Sequence, residues 1–592
     1  MLDLLPHRTA ALALLLAPLA CRTAEARPRS EPALGPARQD LAELVERYRA
    51  DRDDLRRFHS VDPSPTRAAR LAQLDIRTRA GLEALPYEEL SVAARIDWHL
   101  LRTELEYAEA LRDREAARLE ATAELLPFAE AIRGLEEGRW QLEPVEPRAA
   151  ARFLADIAEQ ASEVEERLRS TEAEGDAPED ALVLSPSDAL RVAGWVRSLR
   201  RTLDTWYRHF DAFEPGFSWW CEAPVEEARE ALDGLTKALR EELAGQKGED
   251  DDPLVGDPIG RDGLLTDLAH EWLAFTPEEL IAVGEAEFAW CEARLLEASR
   301  ELGHDEDWRA ALAAVKELHV EPGEQDALVA AQAREMITWL KERDLVTIPP
   351  LCEETWRVRM IDERTQRTLP FAAYSSQEML VAFPTRVMDH EDKLMSLRGN
   401  NEHFTRCVTP HELIPGHHLQ GFQARRFATH RSLFRTPFLV EGWALHWERL
   451  EWDLGWPRGP EDRIGMLFWR MHRAARILVS LRFHLGEMSP QEMIDFLVER
   501  VGHEVSGATS EVRRYIGGGY SPLYQCGYMV GGLQLGALHE ELVGSGRMSQ
   551  REFHDAVLHQ NSIPIELVRA ALLEEPLPRE ARPAWRPVLR TR

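Results

Sequence analysis

Helical periodicity is the sequence feature that most limits how this chain can fold. Apolar residues recur three and four positions apart through 38–107, 149–168, 187–210 and 225–243, among many Ala, Leu, Glu and Arg residues. This spacing places apolar side chains on one face of an α-helix, whereas the alternation typical of half-buried strands is scarce. We therefore predict a mainly α fold. At 592 residues the chain is long enough for more than one lobe.

The strongest interruption of this pattern is the segment 246–263, with the sequence QKGEDDDPLVGDPIGRDG. Clustered Gly, Pro and Asp residues are typical of linkers. We therefore predict an N-terminal helical lobe at 35–245 and a second helical lobe at 264–580, with a deep cleft between the lobes. The least helical region is 349–395, where 368–374 and 379–384 are predicted to form short strands of a small edge sheet near the functional site.

The first thirty residues differ from the rest of the chain. Ala11–Ala20 is a ten-residue apolar run that follows His7 and Arg8 and precedes Cys21. This run is too short to span a bilayer but suits a secretory signal, and the cysteine suggests a lipoprotein signal. We predict export to the periplasm or cell envelope, with a lipidated Cys21 as the only route of membrane attachment. The alternative is an ordinary apolar N-terminal segment.

Charge and cysteine usage exclude two classes of function. The chain has 103 acidic and 72 basic residues, a formal net charge of −31. Such a chain repels phosphate backbones, so we predict no nucleic-acid partner. The six cysteines are scattered without a CxxC pair, which argues against a cysteine zinc site and a disulfide scaffold.

The segment 409–420, TPHELIPGHHLQ, contains the most informative motif. His411-Glu412 resembles the start of a zinc-protease signature, in which the second histidine normally lies four residues on. Here the next histidines lie six and seven residues on, at His417 and His418. Six residues of straight helix separate two side chains by roughly 120° and ~9 Å, too far to share one ion.

Pro415 and Gly416 resolve this mismatch because they interrupt the helix. Pro415 cannot donate to the carbonyl group of His411, and Gly416 tolerates an unusual φ angle. A two-residue bulge would bring His417 into the position of the second ligand, and a three-residue bulge would bring His418 there. We predict His417 as the ligand and keep His418 as the alternative.

A candidate for the third ligand lies in the segment 440–449, VEGWALHWER. Glu441 lies 24 residues after His417, far enough for a second helix to cross behind the first. Glu448 lies seven residues further and shares its helix face, so it is predicted to hold a ligand histidine. Two histidines and a glutamate leave a coordination position for water, and Glu412 is suited to accept its proton. We predict one Zn²⁺ per chain, although such ligands also accept other divalent ions.

These motifs resemble the domain of unknown function 885 family, whose members show His-Glu-x-x-Pro-Gly-His followed by Glu-Gly-Trp-Ala. The resemblance extends over roughly 39–576, and includes Gly260-Arg-Asp and Ala475-Arg476 with His484 downstream. The family is similar to helical zinc metallopeptidases of the gluzincin kind, such as the carboxypeptidase Taq group. The resemblance implies that His411, His417 and Glu441 are ligands and that Glu412 is the general base. The chain departs from the family at Ser480, where an Asp is usual, and at 522–531, which lacks a Gly-Gln pair.

Further residues are candidates for completing the site. The flexible turn at 517–528 carries three candidate donors to a developing oxyanion: Tyr520, Tyr524 and Tyr528. The resemblance favours Tyr528. His484 is a candidate second donor. Three arginines are candidates for clamping a substrate carboxylate: Arg476, Arg513 and Arg514.

Together these features predict a zinc-dependent metallopeptidase that acts on peptides, as a carboxypeptidase or oligopeptidase. One alternative is a zinc hydrolase of a small non-peptide amide or ester, because the same chemistry serves many acyl transfers. The other is a non-catalytic binding protein of the same fold, for which a retained Glu412 would have no use.

Overall fold

The computed structural model describes residues 40–173, 184–248, 252–366, 369, 371–375 and 377–590. The predicted signal segment 1–30, with Cys21, lies outside the described residues. Within them, no helix combines the length and apolarity needed to span a bilayer.

The described chain contains 23 α-helices, which confirms the predicted mainly α fold. The first seven are α1 Asp40–Phe58, α2 Pro65–Glu83, α3 Val92–Ala121, α4 Ala129–Trp140, α5 Pro147–Ala173, α6 Pro186–Phe210 and α7 Pro215–Lys237. The next eight are α8 Gly260–His270, α9 Pro277–Glu301, α10 Trp308–Lys316, α11 Gln325–Glu342, α12 Pro350–Thr355, α13 Glu363–Gln366, α14 His390–Gly399 and α15 Glu402–Glu412. The last eight are α16 His417–Ala424, α17 Pro437–Asp453, α18 Pro460–His484, α19 Pro490–Phe496, α20 Val505–Ile516, α21 Tyr524–His539, α22 Gln550–His559 and α23 Ile565–Leu572.

Several helices begin where the local sequence dictates. Helix α9 starts with a capping box, in which the Thr276 hydroxyl accepts from the Glu279 backbone N–H and the Glu279 carboxylate accepts from the Thr276 N–H. Helix α17, which carries part of the site, is capped by Thr436 and has Pro437 in its first turn. Proline fits there because the first helical N–H groups have no partner within the helix.

A three-stranded sheet is the only sheet in the described residues. Its strands are β1 Arg357–Met360, β2 Ala372–Ser375 and β3 Glu378–Val381, in the order β1-β3-β2. Strand β3 pairs in parallel with β1 and antiparallel with β2. Strands β2 and β3 overlap the two segments predicted from sequence, and each extends one residue beyond its segment, whereas β1 was not predicted.

The buried apolar side chains form two large groups. One unites α1–α3 with helices from α8 to α23, and the other lies among α4–α7. Helices α1–α3 therefore pack with the C-terminal helices, although they precede the predicted linker at 246–263. The division into lobes at 35–245 and 264–580, and the cleft between them, stay predictions. The five described cysteines are buried free thiols: Cys221, Cys291, Cys352, Cys407 and Cys526.

Candidate metal centre

The motif around Pro415 separates two helices. Helix α15 ends at Glu412 and α16 begins at His417, so the predicted interruption occurs as a complete break rather than a bulge. Backbone hydrogen bonds cross the break: the Gly416 N–H donates to the Pro410 carbonyl group over 3.0 Å, and the His418 N–H donates to that of Leu413 over 3.0 Å. The break shortens the distance that a straight helix would place between the histidines.

Gly416 is required at this break for a reason that differs from the predicted one. Its φ is −74°, which other residues adopt readily, so the expectation of an unusual φ was wrong. A Cβ atom at this position would lie 1.8 Å from the carbonyl oxygen of His411. Glycine is therefore needed because the end of α15 and the start of α16 approach too closely for any side chain.

His411, His417 and Glu441, which we call the metal cluster, meet at the start of α16. One ligand atom of each lies within 4.8 Å of the others. Glu441 Oε2 is 3.2 Å from His417 Nε2 and 3.7 Å from His411 Nε2, and the two rings are nearly perpendicular. His411 and Glu441 are buried, and His417 is half-buried.

The structure places His417, and not His418, in the metal cluster. The His418 ring is buried on the other side of α16, where Nε2 lies 2.9 Å from the carbonyl oxygen of Cys352. Its Nδ1 lies 3.3 Å from the hydroxyl group of Tyr374, a residue of β2. Both nitrogens of His418 are thereby engaged away from Glu441.

The carboxylate of Glu441 has one satisfied and one unsatisfied oxygen. Oε1 accepts a hydrogen bond from the Tyr524 hydroxyl group. Oε2 is buried 3.2 Å from His417 Nε2 and 3.7 Å from His411 Nε2, and neither contact has the geometry of a well-formed hydrogen bond. A buried carboxylate oxygen without a donor is costly, and a cation between Oε2 and the two histidine nitrogens would remove that cost. These three residues therefore suit a divalent ion with nitrogen and oxygen preference.

The structure brings Glu448 into contact with His411. Glu448 lies two turns after Glu441 on α17, and its Oε1 is 2.7 Å from His411 Nδ1 and 3.2 Å from an Arg473 nitrogen. Burial would raise the pKa of Glu448, but Arg473 and His411 lower it to about 2. A charged Glu448 accepts a hydrogen bond from the Nδ1–H group of His411. Nε2 is then the ring nitrogen that faces the metal cluster.

Close packing of α17 against α21 carries the tyrosines to the site. A Cβ atom on Gly442 would lie 2.6 Å from the backbone of Gly531, and one on Gly531 would lie 1.9 Å from the carbonyl oxygen of Phe438. Only glycines permit the two backbones to approach this closely. The first two turns of α21 consequently present Tyr524 and Tyr528 to the metal cluster.

The three candidate tyrosines differ in their contacts. Tyr524 donates to Glu441, and its ring centroid lies 4.4 Å from that of the more exposed Tyr520. Tyr528 stacks on His411 with a 6.2 Å centroid separation, and its hydroxyl forms no hydrogen bond with the described residues. Burial, reinforced by the charge of Glu441, raises the pKa of Tyr528 to about 12. Its hydroxyl thus stays protonated and able to donate at neutral pH.

Glu412 and His484 occupy different surroundings. Glu412 is the last residue of α15 and is buried. It lies close enough to His411 for its charge to raise the pKa of the His411 ring. His484 is buried in the last turn of α18, where its Nδ1 has no hydrogen-bond partner among the described residues. Burial lowers the pKa of His484 to about 4, so the ring is neutral.

Arg476 lies behind Tyr528. Its guanidinium donates to the Tyr515 hydroxyl over 2.9 Å and to Glu511 over 3.0 Å, and lies 4.4 Å from the centre of the Tyr528 ring. Arg514 donates to the same Glu511 over 2.9 Å. These contacts hold both arginines in a buried ion network on α18 and α20.

A cavity of about 410 Å³ opens beside the metal cluster, with His417, Glu441 and Tyr524 in its wall. None of the three arginines predicted to clamp a substrate, Arg476, Arg513 and Arg514, lines this cavity. The arginines that do line it are Arg425 and Arg435, which the sequence analysis missed. Their position between the two halves of the metal motif, at 417 and 441, is the signal that could have revealed them.

Two solved structures resemble this fold. One is a candidate lipoprotein of unknown function from Shewanella oneidensis, with a TM-score of 0.61 and 16% identity over 90% of this chain and 99% of that one. The other is a candidate lipoprotein from Colwellia psychrerythraea, with a TM-score of 0.58 and 16% identity over 91% of this chain and 99% of that one. At this identity the likeness establishes the fold alone.

None of the curated proteins compared matches the sequence. The sequence profile of the DUF885 family, described as bacterial proteins of unknown function, matches residues 43–572. This span contains the metal cluster, Glu412 and the tyrosines of α21, and it covers most of the chain. The chain therefore belongs to the DUF885 family.

Proposed function

We propose that this protein is a zinc-dependent hydrolase that cleaves peptide bonds, with His411, His417 and Glu441 as metal ligands. The observation that carries the proposal is the unsatisfied Oε2 of Glu441, buried opposite two histidine nitrogens. Three protein ligands of this kind are typical of catalytic zinc sites, which keep a position open for water. The adjoining cavity of about 410 Å³ is large enough for a small peptide segment.

The residues around the metal cluster have distinct proposed roles. When bound, Zn²⁺ would act as a Lewis acid and lower the pKa of a water molecule. Glu412 accepts the proton of the attacking water and returns it to the leaving amine as the C–N bond breaks, which yields a carboxylate and an amine. The Tyr528 hydroxyl group donates to the carbonyl oxygen as negative charge develops there.

Two further groups hold these residues in place. Glu448 fixes His411 through Nδ1, and the Tyr524 hydroxyl group fixes Glu441 through Oε1. Arg476 packs on the Tyr528 ring and restricts its orientation. We assign Arg476 and Glu448 as positioning residues because each acts through another residue of the site: Glu448 contacts His411 Nδ1, and Arg476 lies against the Tyr528 ring.

The substitution Glu412→Gln tests the proposal because it removes the base and keeps the side-chain shape. We expect about one zinc per chain by elemental mass spectrometry, and hydrolysis of a mixed peptide library reduced by roughly 10³-fold or more. The control is Glu402→Gln at the other end of the same helix, which should cleave the library normally.

Each other outcome rejects a specific part of the proposal. Full activity in Glu412→Gln would remove Glu412 as the base. Zinc without any peptide cleavage in the wild type would favour a hydrolase of a small amide or ester. A wild-type chain that takes up no zinc would favour a binding protein.

We also propose an envelope location. The similar proteins from Shewanella and Colwellia are candidate lipoproteins, and the apolar run Ala11–Ala20 is followed by Cys21. Fractionation of cells that express the full chain should place it in the membrane fraction, and Cys21→Ala should release it. A wild-type chain found in the cytosol would reject this location.

A further inference from the structure

The cavity beside the metal cluster is lined by two arginines, Arg425 and Arg435, together with His417 and Glu441. Glu441, which is engaged in the metal cluster, is the only acidic residue among those that line the cavity. The cavity lining therefore carries more basic than acidic side chains, although the chain as a whole carries a net charge of −31.

Neither cavity arginine pairs with a carboxylate among the described residues, and both side chains are exposed. Arg425 folds back along α16, with one guanidinium nitrogen 3.4 Å from where a Cβ atom on Gly421 would lie, and it interacts with the Tyr374 hydroxyl group. The nearby Arg431, by contrast, forms an ion pair with Asp97 over 2.7 Å. The cavity pair thus retains its capacity to bind an anion.

The segment that carries both arginines is held firmly in place. Arg425 follows the last residue of α16, and Arg435 lies two residues before α17. At the start of this segment, the Asn561 side chain donates to the carbonyl groups of Ala424, Phe427 and Ala428 over 2.9–3.3 Å. These contacts anchor the backbone next to Arg425, which lowers the conformational entropy that this part of the segment would lose on binding.

We propose that Arg425 and Arg435 bind a carboxylate group of the substrate while the metal cluster acts on a nearby amide bond. Guanidinium groups match a carboxylate with two parallel hydrogen bonds, which gives both affinity and orientation. The substrate class is accordingly a short peptide with a free carboxylate near the scissile bond. The inference rests on the proposed hydrolase function, because that function supplies the amide substrate.

The carboxylate has two sources in a peptide, the C-terminus and an acidic side chain. Three peptides with the same core sequence separate them. The first has a free C-terminus, the second has a C-terminal amide, and the third ends in Glu and has a C-terminal amide. We expect the zinc-loaded wild type to cleave the first at least 10-fold better than the second. Cleavage of the third peptide as efficient as that of the first would assign binding to either kind of carboxylate.

The variants Arg425→Gln and Arg435→Gln test the residues directly. Loss of a charged hydrogen-bond pair should raise KM for the free-carboxylate peptide about 10- to 100-fold, with kcat and zinc content nearly unchanged. Their activity on the neutral amidated peptide should fall far less than their activity on the free-carboxylate peptide. Arg426→Gln is the matched control, because that neighbour donates to the Phe422 carbonyl group and does not line the cavity. An unchanged preference for the free carboxylate in both Arg variants would overturn the inference.

Binding without turnover separates this inference from the proposed function. In the Glu412→Gln background, calorimetric titration with the free-carboxylate and amidated peptides reports affinity alone. Carboxylate-dependent binding that Arg425→Gln weakens would support the inference even if the wild type cleaved no peptide. Equal binding of the two peptides would reject it even if peptide cleavage were established.

Discussion

Helix α17 carries histidine clusters on two of its faces, and the groups around them differ. Glu441 belongs to the metal cluster, whereas five residues later His446 meets His539 and His554, which we call the histidine trio. Five residues rotate a helix by roughly 500°, so the two clusters face different directions. The residues of both clusters are buried or half-buried. Of the two clusters, however, only the metal cluster has ring nitrogens that carboxylates of the described residues contact.

The hydrogen bond between His446 and His554 requires that at least one of the two rings is neutral. His554 Nδ1 lies 2.8 Å from the Leu345 carbonyl oxygen, which can only accept, so this nitrogen donates. His446 Nε2 lies 3.1 Å from His554 Nε2, and one of the two must carry the proton. Burial lowers the pKa of His554 to about 3 and that of His446 well below its usual value. His446 and His554 accordingly form a structural hydrogen-bond chain with Leu345, and the His539 ring packs against both of them.

The metal cluster shows the opposite electrostatics. Burial would lower the pKa of His411, but Glu441 and Glu448 raise it to about 9. The same carboxylates that retain a proton on His411 would attract a metal cation in its place. Among the described residues, carboxylates therefore face the ring nitrogens of the metal cluster and not those of the trio, and this difference is what favours a cation at the first and not at the second.

The largest effect should come from removing the carboxylate of the metal cluster. Glu441→Gln keeps an acceptor for Tyr524 but removes the negative charge. We expect zinc content to fall from about one ion per chain to near zero, with library cleavage lost. Elemental mass spectrometry after dialysis measures this. Full zinc occupancy in the variant would show that the two histidines bind zinc without the carboxylate of Glu441. The presence of carboxylates would then no longer distinguish the metal cluster from the histidine trio.

A smaller effect should follow from Glu448→Gln, which weakens the acceptor for His411 Nδ1. Loss of such a partner typically costs about 10- to 100-fold in metal affinity, and added zinc should restore activity. Competition with a fluorescent chelator gives the affinity. Glu451→Gln is the matched control: it lies three residues on and is buried like Glu448, and burial raises its pKa well above the usual range, whereas the pKa of Glu448 is lowered. Equal losses of zinc affinity in the two variants would contradict the proposal that the charge of Glu448 supports the metal cluster.

Substitution in the trio should alter stability and leave the metal site intact. His554→Phe deprives the Leu345 carbonyl group and the His446 ring of their partner, and leaving them unsatisfied costs about 1–3 kcal/mol. A lower urea midpoint with unchanged zinc content and library cleavage is the expected result. Zinc loss in this variant would indicate that the two clusters are coupled through α17.

The smallest effect concerns pH. The pKa of His554 is about 3 in the folded chain and ~6.5 when unfolded, so between these values only the unfolded state binds the proton. Stability is therefore fully present above pH ~6.5 and is lost as pH falls toward 3. Between pH 6.5 and 5.0, in chelator, the stability deficit of His554→Phe relative to wild type should shrink by about 1.5 kcal/mol. A constant deficit would mean that His554 is not buried as a neutral ring.

Local chemistry made several parts of the site predictable. The helix break at Pro415-Gly416 follows from the missing donor and the missing side chain, and spacing placed Glu441 and Glu448 on one face of α17. Helix starts such as Thr276 were predictable because the capping groups lie within four residues of one another.

Other parts depend on residues far apart in the chain. His417 rather than His418 faces Glu441 because the carbonyl group of Cys352 and the hydroxyl group of Tyr374 engage His418. Arg476 resembled a substrate clamp in the sequence, yet its guanidinium is bonded to Glu511 and Tyr515.

The sequence by itself determined a helical chain, a break in the metal motif and the residue types that a zinc ion prefers, because these follow from periodicity and local sterics. Only the tertiary structure decided which histidine joins the cluster, which tyrosine hydroxyl stays unengaged and which arginines face the cavity. Those choices depend on contacts between distant segments, such as the glycine-mediated approach of α17 and α21. Such contacts exist only once the helices have packed.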